Sequence, residues 1–369
     1  MRNNRLRALG LLVCLGIAYA AIMMALTLTI SWREKAFATD GTPQPVTITV
    51  RRIEAFLPKE PRRQEFGALR FLGGLVLKAS SRDFGSLSGL AIDQAGNRLY
   101  AVADTGFWFQ AALETDDAGR IKGLADATLA PLTGKDGKPL IGKDDFDAEA
   151  ISFVPASPRT KTDRILMSFE RNGAIRHYIL TPDYQLDWAE TLKVPPSLRK
   201  VGWNKGLEAI TYMQGGPLAG NTVTITEESF DAQRNIRAAV FGPSRNFPFS
   251  VRASEGFAVT DAAGLPNGDL ILLERRFHLS EGVFMRLRYI EAAAIQPNAV
   301  VDGTHLMEAD MSAVIDNMEG LAITNGPDGE TILNIVSDDN HSFFQRTLLL
   351  QFVLMNKGER IAPAVPEGR

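Results

Sequence analysis

Glu149, Glu208, Glu255 and Glu319 each open a short apolar run. The runs read Glu149-Ala150-Ile151-Ser152-Phe153, Glu208-Ala209-Ile210-Thr211-Tyr212, Glu255-Gly256-Phe257-Ala258-Val259 and Glu319-Gly320-Leu321-Ala322-Ile323. A second acid closes a later apolar run in each case: Glu170, Glu227, Glu274 and Asp338. A fifth copy runs from Ser88-Gly89-Leu90-Ala91-Ile92 to Asp104, with serine in the leading place. Carboxylates in this number offer oxygen-only ligands, which suit Ca²⁺ and, less often, Mg²⁺. Crowded together, they also raise one another's pKa and become proton carriers near neutrality.

The elements that would position them are hairpins. Residues facing each other across a hairpin have numbers symmetric about its turn. The midpoint of Glu319 and Asp338 falls between Asp328 and Gly329, inside the turn sequence Asn325-Gly326-Pro327-Asp328-Gly329. An antiparallel pair then sets the two acids side by side.

Repeat starts at 88, 149, 208, 255 and 319 give periods of roughly 45–65 residues, the spacing of propeller blades. Further strand-like runs follow at 174–180, 236–241, 283–290 and 346–354. The leading strands are apolar or small almost throughout, as strands buried on both faces are. An all-β propeller is therefore expected, with five blades favoured and six possible. The last copy runs out of chain before an outer strand, which 46–50 or 69–78 could supply, closing the ring.

In such a ring Glu149, Glu208, Glu255 and Glu319 would meet at one mouth with Asp104, Glu170, Glu227, Glu274 and Asp338. Two unit charges ~4 Å apart repel by ~4 kcal/mol at an effective dielectric of ~20. Protons or cations must relieve this. Arg171, Arg275, Arg276 and Lys205 adjoin the acids, and Ca²⁺ (or Mg²⁺) could supply the remainder. The bland alternative for each glutamate is a latch between blades, bonded to backbone N–H groups or to arginine. Asp338-Asp339-Asn340-His341 combines metal oxygens with an acid–base imidazole, or else is a turn bonding its own backbone. Trp108 and Trp203 flank the acids and would wall the mouth or simply pack.

Composition narrows the field. The 369 residues are 45% hydrophobic and 22% charged, an ordinary globular balance. A net charge of -3 carries no basic bias towards nucleic acid. Cys14 is the single cysteine, so no disulfide or thiolate metal site is available. The chain has no Walker loop, no G-x-S-x-G elbow and no H-E-x-x-H.

Arg2, Arg5 and Arg7 precede an apolar run over 8–30, the order of an export signal. Residues 1–38 are expected to be a signal peptide or an uncleaved hydrophobic helix anchored in the membrane. Residues 39–65 would be linker and strand, and 66–369 the propeller domain. Either form of the leader puts the body outside the cytoplasm, in a bacterial-type periplasm or cell envelope.

The hairpins resemble those of the phytase-like family, described as carrying the esterase-like activity of phytase. The resemblance rests on Ser88-Gly89-Leu90 with Asp104-Thr105-Gly106, and Asp147-Ala148-Glu149-Ala150-Ile151 with Glu170-Arg171. It also rests on Gly206-Leu207-Glu208-Ala209-Ile210, Glu255-Gly256-Phe257 with Glu274-Arg275, and Met318-Glu319-Gly320-Leu321 with Asp338-Asp339-Asn340. It covers roughly Phe66 to Leu354. It implies a β-propeller whose acids serve phosphoester hydrolysis on a small phosphorylated or ester substrate. The expected catalytic set is Glu208, Glu319, Arg171, Arg275 and His341, with Ca²⁺ on the acidic ring. Ser88 departs from the pattern and leaves the ring one carboxylate short. The alternatives are a non-catalytic ligand- or partner-binding propeller of the cell envelope, and a metal-dependent esterase or lactonase.

Overall fold

Short apolar runs separated by glycine-rich turns fold as antiparallel hairpins in the computed structural model, which describes residues 41–198, 206–254 and 256–355. The expected N-terminal helix and Cys14 lie outside the described residues. Among the described residues no helix is long and apolar enough to cross a membrane.

Four strands come first: β1 (Gln44–Pro45), β2 (Ile48–Ile53), β3 (Glu65–Phe66) and β4 (Leu69–Ala79). Blade one follows as β5 (Leu87–Ile92), β6 (Arg98–Ala103), β7 (Phe107–Thr115) and β8 (Ile121–Pro131), with β1 on its outer edge. A single helical turn, α1 (Lys143–Phe146), leads into blade two. That blade is β9 (Ala148–Val154), β10 (Arg164–Phe169), β11 (Ile175–Leu180) and β12 (Leu186–Leu192). Blade three is β13 (Ala209–Tyr212), β14 (Thr222–Phe230), β15 (Ile236–Phe241) and β16 (Asn246–Val251). Blade four begins with β17 (Ala258–Gly264), β18 (Leu270–His278) and β19 (Gly282–Ile290). Next, β20 (Val300–Val301) crosses to the edge of blade three, and β21 (Thr304–Ala309) completes blade four. Blade five is β22 (Asn317–Asn325), β23 (Thr331–Asp338) and β24 (Thr347–Leu354), then β4 and β2 from the other end of the chain.

The ring thus has five blades, and the early strands finish the fifth instead of starting a sixth. β4 pairs along the whole of β24, and β2 pairs along β4. Phe56 and Phe71 anchor this closure by packing against Phe352, with Phe56 edge-on to it at 5.0 Å and Phe66 packed in turn on Phe56.

The inner strands β5, β9, β13, β17 and β22 stand side by side around the axis. Glycine lets them approach. A Cβ on Gly320 would sit 2.8 Å from the backbone N of Leu90, and one on Gly89 would sit 2.9 Å from that of Ile151. The space left between the inner strands is about 60 Å³, walled by residues such as Ile92, Ile151, Ile210 and Leu321.

Candidate functional site at the acidic mouth

The inner strands carry a repeated irregularity. The pairing register slips by one residue at Ser88, Glu149, Thr260 and Glu319, each left unpaired opposite its neighbouring strand. Such a bulge re-aims one side chain and bends the strand end. Glu208 stands in the matching place just before β13. Two residues earlier, the backbone closes each hairpin. The N–H of Asp104 donates to Ser86 O, that of Glu170 to Asp147 O and that of Glu227 to Gly206 O. In blades four and five the matching pairs are Ala258 with Arg275, and Asn317 with Asp338. The leading ring therefore reads Ser88, Glu149, Glu208, Thr260, Glu319. Its companions are Asp104, Glu170, Glu227, Arg275 and Asp338.

The acids concentrate between blades two and three. Asp147, Glu149 and Glu170 each bring a carboxylate oxygen within 4.8 Å of the others, and so do Glu170, Glu208 and Glu227. Glu170 belongs to both groups. Gly206 lies flush against it, because a Cβ there would be 2.4 Å from Glu170 Cγ.

Three cations are threaded among them. Lys143, on α1, is 3.5 Å from Asp104 and 3.5 Å from Asp147. Arg171 donates through Nε to Asp147 at 2.9 Å. Arg275 lies 3.4 Å from Glu319 and 3.8 Å from Glu227. Compensation is incomplete, since Asp104 Oδ1, Asp147 Oδ1 and Arg275 Nε are buried without a hydrogen bond.

The protonation equilibria reflect this. Burial, then the charges of Glu208 and Asp147, pushes Glu149 well above the usual carboxylate range. Glu208 is pushed well up by burial and then by Glu227 and Glu170. Burial also raises Glu170, helped by Asp147, and raises Asp147 despite Lys143 and Arg171. Burial lifts Glu319 to about 7 against the pull of Arg275. Asp338 rises to about 8 for the same reason, opposed by the N–H of Asn340. Glu319 and Asp338 thus exchange protons near neutrality.

A cleft of about 570 Å³ opens beside this centre. Its polar side includes Arg275, Asn317, Glu319 and Asp338, and its apolar side Phe277, Met311 and Phe344.

Two sequence expectations change. Glu274 does not reach the mouth. It is fully buried in blade four, bonded twice by Arg288 at 2.8 and 2.5 Å. The next residue, Arg275, takes the mouth position, because adjacent strand residues face opposite sides. Arg276 also turns away, over the Phe257 and Phe284 rings and towards Glu281. Glu255, Lys205 and Trp203 lie outside the described residues.

The latch reading fits the two hydroxyl places in the ring. Ser88 Oγ donates to Ala148 O at 2.6 Å and Thr260 Oγ1 to Met318 O at 3.1 Å, each tying neighbouring inner strands. His341 sits exposed on a turn with φ of 46°. Its N–H donates to Asp339, whose carboxylate also accepts from Ser86 N–H and the Thr347 hydroxyl. Trp108 is buried and stacked on Tyr100 at 5.3 Å, so it packs blade one.

Lys143 and Asp147 are the participants that the acid pattern missed. Asp147 had a signal, an acid two residues ahead of Glu149. Lys143 had none, because its place depends on α1 folding back over the mouth.

The sequence model of the phytase-like family, described as esterase-like activity of phytase, matches residues 82–341, a span holding all five hairpins. No curated protein matches the chain.

Proposed function

The chain belongs to the phytase-like family, and from that premise we propose that it is an exported, cation-dependent phosphoester hydrolase working at the acidic mouth. The observation that carries this is Glu170, shared between two groups of converging carboxylates. Family and fold support a hydrolase-like activity. The cation, the substrate and the export are our proposal.

The donor set suits a hard cation. It is all oxygen, buried acids hold raised pKa values, and Asp147 Oδ1 has an unused lone pair. Glu149, Glu170, Glu208 and Glu227 would hold Ca²⁺ or Mg²⁺, with Asp147 at the edge. Bound there, the ion would neutralise phosphate oxygens and acidify a water molecule.

The chain's own groups do the rest. Arg275, partly exposed in the cleft, offers its guanidinium to an anionic oxygen and favours the charged form of Glu319. Glu319, with a pKa of about 7, can take or give a proton at neutral pH. Arg171 is engaged by Asp147 and Asp144, so its part is to position Asp147. His341, on its exposed turn, is a weaker acid–base candidate than Glu319.

The test is turnover of phosphomonoesters and diesters by purified protein with and without Ca²⁺, beside metal analysis. Glu208→Gln and Glu319→Gln should each abolish most metal-dependent turnover. Absence of such turnover in the wild type would end the proposal. Carboxyl esters and lactones assayed in parallel separate the esterase alternative. Export is supported by Arg2, Arg5, Arg7 and the apolar run over 8–30. Cell fractionation with N-terminal mass analysis tests it.

A further inference from the structure

Phe277, Leu279, Met311, Phe343 and Phe344 make up five of the eight large hydrophobic residues exposed among the described residues. Scattered exposed apolar residues need no explanation, but a cluster does. These five come from three separate segments: the tip of the β18–β19 hairpin, the turn after β21, and the loop from β23 to β24. Phe277, Met311 and Phe344 wall the same cleft as Arg275 and Glu319, although they are 62%, 52% and 90% exposed.

The rim is built, not incidental. Gly282, at φ of 85°, turns the hairpin tip, and a Cβ on it would lie 3.0 Å from Met311 Cγ. Met311 is thus seated against the tip. Phe343 and Phe344 pack edge to face at 5.6 Å.

The floor differs in character. Arg275 lines the cleft with its side chain 27% exposed, and its charge contacts to Glu319 and Glu227, at 3.4 and 3.8 Å, are long for hydrogen bonds. A guanidinium so exposed and so loosely paired can turn N–H groups to an anionic oxygen. Yet acids outnumber cations at the mouth, so a polyanion would meet repulsion there. The arrangement suits one anionic group with an apolar body attached. A cleft of about 570 Å³ accommodates a small molecule of that kind.

We infer that the cleft selects amphiphilic phosphoesters, with the phosphoryl group at Arg275 and an aryl or short alkyl group on the Phe277–Met311–Phe344 rim. The inference takes its anionic group from the hydrolase proposal but is tested by binding. 1-Naphthylmethylphosphonate and methylphosphonate, neither of them hydrolysable, are titrated calorimetrically into the full chain with Ca²⁺ present. The naphthyl compound should bind about tenfold tighter or more. Phe277→Ser and Phe344→Ser, both at exposed positions, should each weaken it several-fold and leave methylphosphonate affinity alone.

Equal affinity for the two phosphonates, no binding of either, or equal losses for both in the variants would overturn the inference. So would binding to phosphatidylcholine–phosphatidylglycerol vesicles that Phe344→Ser abolishes while the phosphonates remain undiscriminated, since the rim would then serve a membrane. Discrimination without turnover of any phosphoester would sink the hydrolase proposal and leave this one standing.

Discussion

Arg275 holds in blade four the place that Asp338 holds in blade five: each lies opposite the residue two before the bulge, Ala258 and Asn317 respectively. One member of an otherwise acidic ring is therefore a cation, set between Glu227 and Glu319. The mouth has an acidic side facing blades two and three and a mixed side facing the cleft.

Removing that cation should move a titration. Arg275 lowers the pKa of Glu319, which burial has raised to about 7. In Arg275→Gln that pKa should rise further, and the acid limb of a Glu319-dependent pH–rate profile should shift to higher pH. Arg275→Lys should shift it less. An acid limb at the same pH in all three proteins would count against this role.

The same acids predict how stability depends on pH. Glu319 and Asp338 have folded-state pKa values near 7 and 8, above their ordinary values of 4.5 and 3.8. The folded state then binds protons more tightly than the unfolded one. Their contribution is full below the unfolded values and is lost as pH rises through 7 and 8. Without added metal, the urea midpoint should fall between pH 5.5 and 8.5 by an amount worth up to ~5 kcal/mol. Millimolar Ca²⁺ should restore more at pH 8.5 than at 5.5, and Glu319→Gln should flatten the profile. A midpoint that climbs with pH in metal-free buffer would refute the account.

The buried pair in blade four should behave as a unit. Arg288 also donates to the carbonyls of Arg252 and Asp302, so it organises the loops around Glu274. Arg288→Met alone leaves a buried carboxylate unpaired and should cost ~3–5 kcal/mol. Glu274→Leu combined with Arg288→Met should recover much of that loss. Chemical denaturation of the three proteins decides, and additive losses in the double variant would contradict it.

Gly206 provides a test of the carboxylate groups without touching an acid. Its missing side chain leaves room for Glu170, which a Cβ would crowd at 2.4 Å. Gly206→Ala should weaken Ca²⁺ binding by about tenfold or more, in line with losses at residues that support metal ligands. Calorimetric titration measures it, and an unchanged affinity would remove Glu170 from the proposed ligand set.

Most of the fold was legible because turn chemistry and apolar runs recur. The hairpin centres inferred for Ser88 with Asp104, Glu149 with Glu170, Glu208 with Glu227, and Glu319 with Asp338 fall within about a residue of the observed pairings. Blade four was misread for two physical reasons. The bulge lies at Thr260, five residues beyond Glu255, which is outside the described residues, and the Thr260 hydroxyl looks like ordinary strand filler. A shift of one residue also exchanges the faces of a strand, so Glu274 and Arg275 could not be told apart by spacing. Lys143 was beyond reach because a single helical turn sets its position.

The closure of blade five has a consequence for biogenesis. β4 emerges early from the ribosome, yet its partner β24 is the last of the described strands to be made. Until then β4 presents an unfilled template, and the circle stays open. Such distant pairing makes for slow maturation and a nascent chain prone to sticking to others. A growing polypeptide of this design stays unfinished through most of its synthesis, a state compatible with threading through a translocation pore before the circle shuts.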